Sequence, residues 1–236
     1  MRLLVPLLTA MIALAGCDRG PATPSTLPSP SAGTAARPDL ALLTSLPIVF
    51  GENFGLETPA SPLLQKLDAR FRVRPVDGPE QLARGGLLLA IQPQALTAER
   101  LVALDAWVRD GGRLVLLADP RLVWESKRPL GDHFRPPVVF PDTGLLQRWG
   151  LELAPEIDNL AEAVDVDLGG GVQTSISGMG RLNRRSGSCS LSTGGRAAWC
   201  RLGQGHAIVV ADADFAMSPL AEHQQALVAL VQRINR

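Results

Sequence analysis

Residues 103–120 have the sequence ALDAWVRDGGRLVLLADP, which combines the end of a helix, a stop signal and a buried strand. The helix, which Thr97 caps, is predicted to end at the Asp-Gly-Gly of residues 110–112, because its apolar residues keep a helical spacing up to there. The segment RLVLLA at 113–118, which is apolar from residue 114 onward, is typical of a strand buried on both faces, and so is LLLAI at 87–91. A strand, a helix and a second strand in this order predict a parallel, right-handed crossover.

Apolar strands and helical stretches continue to alternate on both sides of this segment. The sequence predicts an α/β fold with a flavodoxin-like doubly wound, mostly parallel sheet and a β-rich insertion late in the chain. The other predicted strands are residues 45–50 (SLPIVF), 71–76 and 207–211, the predicted helices are 61–70, 144–150 and 219–234, and the insertion is 164–200.

The charge balance excludes one class of partner. Lys+Arg and Asp+Glu both number 23, so the formal net charge is zero, and the sequence pI is about 6.8. Nucleic-acid-binding proteins carry a basic surplus that neutralises phosphates, and this chain has none. We therefore expect no nucleic-acid partner.

The amino terminus predicts an address outside the cytoplasm. A basic Met1-Arg2 precedes an apolar run over residues 3–15, which is too short to span a bilayer and is typical of a signal peptide. The run ends in the Leu-Ala-Gly-Cys of residues 14–17, which resembles the lipobox of bacterial lipoproteins. That resemblance implies cleavage before Cys17 and a diacylglycerol on its thiol. The alternative is an ordinary signal peptide with a chance cysteine.

A tether is predicted between this anchor and the folded domain. Residues 18–39 are dense in Pro, Ser, Thr and Ala and have no apolar periodicity, so they cannot bury enough surface to offset the entropy of ordering. The α/β domain then occupies residues 40–236. Asp18 directly follows the cysteine, a position that in enterobacterial lipoproteins favours the inner over the outer membrane. We therefore expect the domain at the periplasmic face of the inner membrane.

The two remaining cysteines fit an oxidising compartment. If residues 194–195 (Gly-Gly) form the two-residue turn of a hairpin, Thr193 faces Arg196 and counting outward places Cys189 opposite Cys200. Opposed residues on neighbouring strands lie within disulfide range. The prediction is a Cys189–Cys200 disulfide, and the alternative is a pair of buried free thiols.

Four strings resemble one known family, the auxiliary (gliding-motility-type) domain of uncharacterised ABC transport systems. They are SLPIVFGE at 45–52, ALDAWVRDGGRLVLLADP at 103–120, LLQRWGLEL at 145–153 and GQGHAIVVADADF at 203–215. The resemblance covers residues 40–236 and implies a class I glutamine amidotransferase-like fold, a permease/ATPase complex as partner, and no established catalysis. Many proteins of that family are anchored by transmembrane helices, a role that the lipid would take here.

Polar residues follow several predicted strands, at the edge where ligands bind in open α/β sheets. They are Glu52, Asn53, Gln92, Asp119, Asp212 and Asp214. These side chains are either a ligand or partner edge, or they cap turns by accepting backbone N–H groups.

No catalytic chemistry is predicted at this edge. The turns after the core strands hold neither a cysteine nor a G-x-S-x-G elbow, the histidines lack metal-ligand spacing, and the triple glycine at 169–171 lacks the phosphate-binding pattern. We therefore expect no metal and no cofactor.

Three functions remain as hypotheses. The first is a non-catalytic, membrane-anchored accessory lipoprotein of an ABC transport system. The second is a periplasmic solute- or glycan-binding module that uses the carboxyl edge of the sheet. The third is a hydrolase of unknown type.

Overall fold

The computed structural model describes residues 37–52, 61–156, 163–176 and 180–236. Within them the chain forms four α-helices, which are α1 (Pro62–Asp68), α2 (Ala98–Arg109), α3 (Leu145–Arg148) and α4 (Ala221–Ile234). The strands are β1 (Asp39–Thr44), β2 (Arg72–Pro75), β3 (Leu87–Ile91), β4 (Arg113–Leu117), β5 (Leu151–Ala154), β6 (Val164–Gly169), β7 (Val172–Ile176), β8 (Arg181–Arg184), β9 (Cys189–Leu191), β10 (Ala197–Leu202) and β11 (Gly205–Val210). The predicted lipid anchor at Cys17, most of the predicted tether and Asn53 lie outside the described residues.

The main sheet in the described part of the chain has seven strands in the order β2-β1-β3-β4-β11-β10-β9. The first five strands run parallel to one another, whereas β10 is antiparallel to β11 and β9 is antiparallel to β10. The predicted α/β class with a mostly parallel sheet is therefore confirmed.

Helices cover both faces of the sheet because its central strands are apolar on both sides. Every residue of β3 is buried, and successive side chains point to opposite faces. Leu89 packs into one core with Leu67 of α1 and Leu227 of α4. Leu88 packs into the other core with Leu104 of α2.

The predicted first strand at residues 45–50 is wrong. The strand lies one segment earlier, at β1, where residues 40–43 are buried and pair with β2 and β3. Residues 45–50 instead form turns, with the N–H of Ile48 donating to the carbonyl of Leu46. Pro47 has no N–H to donate to a sheet, which disfavours this segment as an interior strand.

The β-rich insertion divides into three parts. Strands β6 and β7 form a hairpin, β8 pairs with β5 in a separate two-stranded sheet, and β9 joins the edge of the main sheet.

The predicted two-residue Gly-Gly turn between β9 and β10 is wrong. The last paired residues are Ser192 and Ala197, where the Ser192 N–H donates to the Ala197 carbonyl. Residues 193–195 form a short 3-10 turn instead, with positive φ values of 73° and 71° at the two glycines. Glycine tolerates such values without the clash that a Cβ would cause.

The register of this hairpin nevertheless places Cys189 opposite Cys200, and the two are joined in a disulfide with a Cα–Cα distance of 4.0 Å. Both cysteines are buried. The disulfide therefore fastens the edge strand β9 to β10 from within the core on the α2 side of the sheet.

A buried carboxylate fixes α3, the element that follows the long connection after β4. Asp105 of α2 is 3% exposed and accepts hydrogen bonds from Arg148 Nε (2.6 Å), Trp149 Nε1 (2.8 Å) and Arg109 Nε (3.0 Å). Several donors satisfy the charge, which offsets the cost of burying it. The connection from β4 to α3 is therefore held firmly at its far end.

Removing the disulfide by the double substitution Cys189→Ala and Cys200→Ala should lower the free energy of unfolding by about 2–3 kcal/mol, because the unfolded chain gains the entropy of a short open loop. Urea unfolding measures the change. A reductant should destabilise the wild-type chain by a similar amount and leave the double variant unchanged. A wild-type chain that is insensitive to reductant would contradict a stabilising disulfide.

Candidate functional site

Four of the predicted edge residues lie at the carboxyl ends of three adjacent parallel strands. Gln92 follows β3, Asp119 follows β4, and Asp212 and Asp214 follow β11. Gln92, Asp119 and Asp212 are each at most 1% exposed. The structure therefore brings these four residues together, three of them buried and Asp214 half-buried.

The segment that buries them is the connection between β4 and α3. Residues 120–143, which we call the edge loop, contain no helix or strand and run over the carboxyl edge. Connections of this length without regular structure are uncommon in compact domains and often have a function. Its backbone must find hydrogen-bond partners outside a helix or sheet.

Carboxylates of the edge supply several of those partners. Asp214 accepts the N–H of Val123 at 2.9 Å and the N–H of Trp124 at 2.7 Å, one on each oxygen. Glu52 accepts the N–H of Lys127 on both oxygens at 3.1 Å and also the hydroxyl of Ser126. A hydrogen bond is worth about 1.5–3 kcal/mol when the acceptor is ionised and about 0.5–1.5 kcal/mol when it is neutral, so these contacts together hold the loop in either case.

Asp119 joins the ends of two strands at the base of the loop. Its Oδ1 accepts the N–H of Arg121 at 2.7 Å, and its Oδ2 accepts the N–H of Ala213 at 3.0 Å. Its backbone carbonyl also accepts the N–H of Phe140, at the other end of the loop, at 2.7 Å.

Gln92 ties the start and the end of the edge loop together. Its Oε1 accepts the N–H of Asp119 at 2.8 Å, and its Nε2 donates to the carbonyls of Asp119 at 3.2 Å and Pro137 at 3.0 Å. Among the described residues other than glycine, it alone has a positive φ, of 41°. Such a value costs free energy in a non-glycine residue, and the surrounding bonds hold it in place.

Burial and mutual repulsion keep protons on the aspartate cluster. Burial raises the pKa of Asp119 to about 7, and the neighbouring Asp214 carboxylate adds to this rise. Burial, followed by the charges of the other two carboxylates, raises the pKa of Asp212 well above its usual range, and burial also raises the pKa of Asp214. Like charges in one buried site cannot all ionise, so the cluster retains protons near neutral pH.

One atom of this cluster has no partner among the described residues. Asp212 Oδ1 accepts the N–H of Phe215 at 3.2 Å, whereas the buried Oδ2 makes no hydrogen bond. A neutral carboxyl is far cheaper to leave in this state than a charged one. Asp212 therefore caps the short turn after β11 with one oxygen, and burial favours the neutral form of its carboxyl.

Taken together, the edge residues are occupied by the chain's own backbone. Glu52, Asp119 and Asp214 accept edge-loop N–H groups, Gln92 bonds to both ends of the loop, and Asp212 caps a turn. This arrangement is the one that the capping hypothesis predicts.

Metal-ligating side chains do not gather in the part of the chain that the structure describes, where no three His, Cys, Asp or Glu residues form a set that could hold an ion. His133 and His206 are exposed, and His223 packs its Nε2 against the carbonyl of Ser175. A membrane-spanning helix is also absent from the described ranges.

Two features of this edge escape the sequence analysis. The edge loop exposes large apolar side chains, and a cavity lies beside it at the ends of β1 to β3. The apolar residues have no helical or strand periodicity that would reveal their role. The doublet Val138-Val139 in a polar, Pro-rich loop is the one signal that could have indicated an exposed apolar surface.

Comparison with protein families gives one match over most of the chain. The family described as "Domain of unknown function (DUF4350)" matches residues 59–229. No curated protein matches the sequence.

Solved structures resemble the fold at very low identity. The mmIFT52 N-terminal domain is 14% identical with a TM-score of 0.52, covering 83% of this chain and 96% of its own. A catalytic mutant of Gan42B, a GH42 β-galactosidase from G. stearothermophilus, is 13% identical with a TM-score of 0.50, covering 85% of this chain and 30% of its own. The exo-β-1,4-mannosidase Op5Man5 from Opitutaceae bacterium strain TAV5 is 12% identical with a TM-score of 0.46, covering 86% of this chain and 35% of its own. The chain thus spans about a third of the length of these glycosidases, and the likeness concerns the fold alone.

The raised pKa values predict an unusual dependence of stability on pH. At pH values above the ordinary aspartate pKa of 3.8, the folded chain keeps protons that the unfolded chain releases. The contribution of the cluster to the free energy of unfolding is therefore fully present at low pH. It is lost as pH rises from about 4 to about 7. Asp212→Asn keeps an oxygen that accepts the Phe215 N–H, and its side chain cannot ionise. This substitution should therefore lower the free energy of unfolding by less than about 0.5 kcal/mol, and the stability of the variant should decrease less steeply as pH rises. Asp212→Ala should cost about 0.5–2 kcal/mol.

Urea unfolding tests this prediction. It is measured for the wild-type chain and both variants from about pH 4.5 to about pH 8, the range over which the cluster titrates. Asp105 and Glu156, whose pKa values are lowered, affect stability in the opposite direction. Both residues are present in the wild-type chain and in the variants, so their effect cancels when the free energies of unfolding are subtracted at each pH. An Asn variant as unstable as the Ala variant would contradict the account. An Asn variant that folds normally but fails to complement a deletion strain would make this edge a binding site.

Proposed function

This chain belongs to the DUF4350 family, and we propose that it is a non-catalytic accessory lipoprotein of an ABC transport system. In this proposal, a diacylglycerol on Cys17 holds the protein at the periplasmic face of the inner membrane, and the α/β domain contacts the permease/ATPase complex.

The observation that carries the proposal is the surface of the edge loop. The loop exposes five large apolar side chains, which are Val123 (53%), Leu130 (84%), Phe134 (56%), Val138 (48%) and Val139 (60%). Apolar groups concentrated in one surface segment are typical of a protein interaction site, because water is released when a partner covers them.

The edge beneath the loop supports an interaction role over chemistry. In many open α/β sheets, the side chains at this edge bind the ligand. In this chain the side chains at the edge bind the edge loop instead. Their hydrogen bonds stabilise one conformation of the loop and of its exposed apolar surface. A pre-ordered surface loses less entropy when it meets its partner.

The anchor and the fold complete the proposal. The Leu-Ala-Gly-Cys of residues 14–17 supports lipidation, and a tether of residues 18–39 could reach at most about 70–80 Å, enough to place the domain against a membrane complex.

We also propose that the sheet is flavodoxin-like and doubly wound. Its parallel strands follow the order β2-β1-β3-β4-β11, which parallels the 2-1-3-4-5 order of that fold.

Site-specific photo-cross-linking in living cells tests this function. A photoreactive amino acid in place of Leu130 should form an adduct with a permease or ATPase subunit of an ABC transporter, identified by mass spectrometry. The matched control carries the same group in place of Val102, which is 70% exposed on α2 rather than on the edge loop.

The same experiment with Cys17→Ser separates anchoring from docking. Loss of the lipid should leave an uncut precursor or release the domain from the membrane, and should reduce the Leu130 adduct. Equal adducts from both positions, or no transporter subunit in the Leu130 adduct, would refute the accessory role. A Cys17→Ser chain that stays membrane-bound after removal of its signal peptide would refute the lipid anchor alone.

A further inference from the structure

The edge of the sheet opposite the edge loop is rich in arginine. All five parallel strands begin at this edge, and β10 ends there beside the start of β11. Helix α4 ends there as well, because the carbonyl of Asn235 accepts a hydrogen bond from Arg113 Nη1, at the start of β4, at 3.1 Å. We call this surface the basic edge, and its arginines are Arg70, Arg72, Arg84, Arg113, Arg201 and Arg233.

Contacts between neighbouring segments bring these arginines to one surface. Arg113 Nη2 donates to the carbonyl of Gly85 at 2.8 Å, so Arg84 lies beside the start of β4. Arg201 is paired with His206 across β10 and β11, and His206 is paired with Arg113 across β11 and β4. The basic edge is therefore one continuous surface built from segments that are distant in sequence.

Most of the arginine charges at this edge have no opposite charge bonded to them. Four are exposed and form no ion pair within the part of the chain that the structure describes, namely Arg70, Arg84, Arg201 and Arg233. Arg113 donates to backbone carbonyls, which carry no net charge. Arg72 is paired with Asp39 at 3.2 Å, and Asp68 and Asp110 are the other carboxylates of the edge. Six arginines against three carboxylates leave the basic edge positive.

This charge is a local feature, since the whole chain has a formal net charge of zero. None of the large apolar side chains that the described chain exposes belongs to the basic edge, whereas five of them belong to the edge loop. The two ends of the sheet thus present different chemistry to a partner. A positive surface without apolar groups suits a partner that is anionic and that attracts by charge rather than by burial of apolar area.

The tether meets the folded domain at the same edge. The described chain begins at Arg37, two residues before β1 begins at Asp39, so the predicted tether of residues 18–39 joins the domain at the basic edge. A membrane that holds Cys17 would present its head groups to this edge at a high effective concentration. Guanidinium groups bind phosphate oxygens through charge-assisted hydrogen bonds, and each cation near an anionic bilayer adds to the attraction.

We propose that the basic edge docks on the anionic phospholipid head groups of the membrane that carries the anchor. Strands of five or six residues are about 15–20 Å long, so docking holds the edge loop at least that far from the bilayer. The edge loop then faces an extramembrane part of its partner. This inference rests on the proposed lipid anchor, which brings the domain to the membrane, and not on the transporter as partner.

Energy transfer from the full-length protein to labelled lipid head groups tests the orientation. The vesicles contain phosphatidylcholine alone or with about 30% phosphatidylglycerol, which supplies the negative surface potential. The donor dye is attached through Gln204→Cys, in the exposed turn between β10 and β11, or through Leu130→Cys on the edge loop. In anionic vesicles, transfer from position 204 should clearly exceed transfer from position 130. The difference should shrink in neutral vesicles and at about 1 M salt, where the screening length falls to about 3 Å.

A pair of charge variants assigns the docking to the basic edge. Arg84→Gln with Arg201→Gln removes two exposed charges that make no ion pair, so the fold and its melting temperature should be unchanged. Each charge should contribute about fivefold to the ratio of docked to undocked domain, so the pair should lower this ratio about 25-fold. Arg121→Gln with Lys127→Gln is the matched control, because both cations are exposed on the edge loop, and it should leave the ratio unchanged.

Three results would overturn the proposal, which are equal transfer from the two positions in anionic vesicles, the same difference in neutral and anionic vesicles, and equal losses from the two variant pairs. Docking that does not depend on the anionic lipid would leave a protein as the partner of this edge. A chain that fails to float with neutral vesicles would refute the lipid anchor alone, because its binding to anionic vesicles still measures the basic edge. Failure to bind either kind of vesicle would refute both.

Discussion

Hydrogen bonds from edge-loop backbone amides to carboxylates hold together everything above the carboxyl edge of the sheet. Residues 120–143 have no helix or strand to satisfy their backbone, and ordering each residue costs about 1–2 kcal/mol. Asp214 and Glu52 each fix two neighbouring positions of the loop, while Gln92 fixes its two ends. Burial of Leu122 in one core and Phe140 in the other adds apolar stabilisation at the same two ends. The exposed apolar surface between them depends on this support.

The protonation of the aspartate cluster follows from the same constraint. Covering the ends of β4 and β11 with the edge loop removes water from Asp119 and Asp212, and three ionised carboxylates in that space would repel one another. Retained protons remove most of that repulsion, and backbone N–H groups stabilise the charge that remains. The covered edge therefore favours the protonated forms of these carboxyls.

Much of this architecture could be predicted from the sequence where local signals agree. The strand at residues 87–91, the strand that begins at Arg113 and the cap at Thr97 match the predictions because apolar runs, glycines and caps indicate the same boundaries. The first strand was misplaced because SLPIVF at 45–50 is as apolar as DLALLT at 39–44, and the one local signal against it is Pro47. The pairing of Cys189 with Cys200 is predicted correctly although the turn is not, because the actual loop of residues 193–196 is centred on the same two glycines and therefore keeps the register.

The candidate site was predictable in its residues but not in its use. An aspartate after a strand can accept either a ligand or a backbone N–H, and the sequence does not say which. The choice is made by the edge loop, whose path depends on contacts between positions 70 to 95 residues apart, such as Val123 with Asp214 and Lys127 with Glu52. The cavity was unpredictable for the same reason, because its walls come from four separate segments.

Amide hydrogen exchange of the edge loop tests this account most directly. The N–H groups of Val123, Trp124 and Lys127 should exchange slowly although they belong to no helix or strand, because each is bonded to a carboxylate. Asp214→Ala should speed exchange at Val123 and Trp124 while Lys127, held by Glu52, stays protected. Exchange of all three amides in the wild-type chain at the rate of an unstructured peptide would contradict the account.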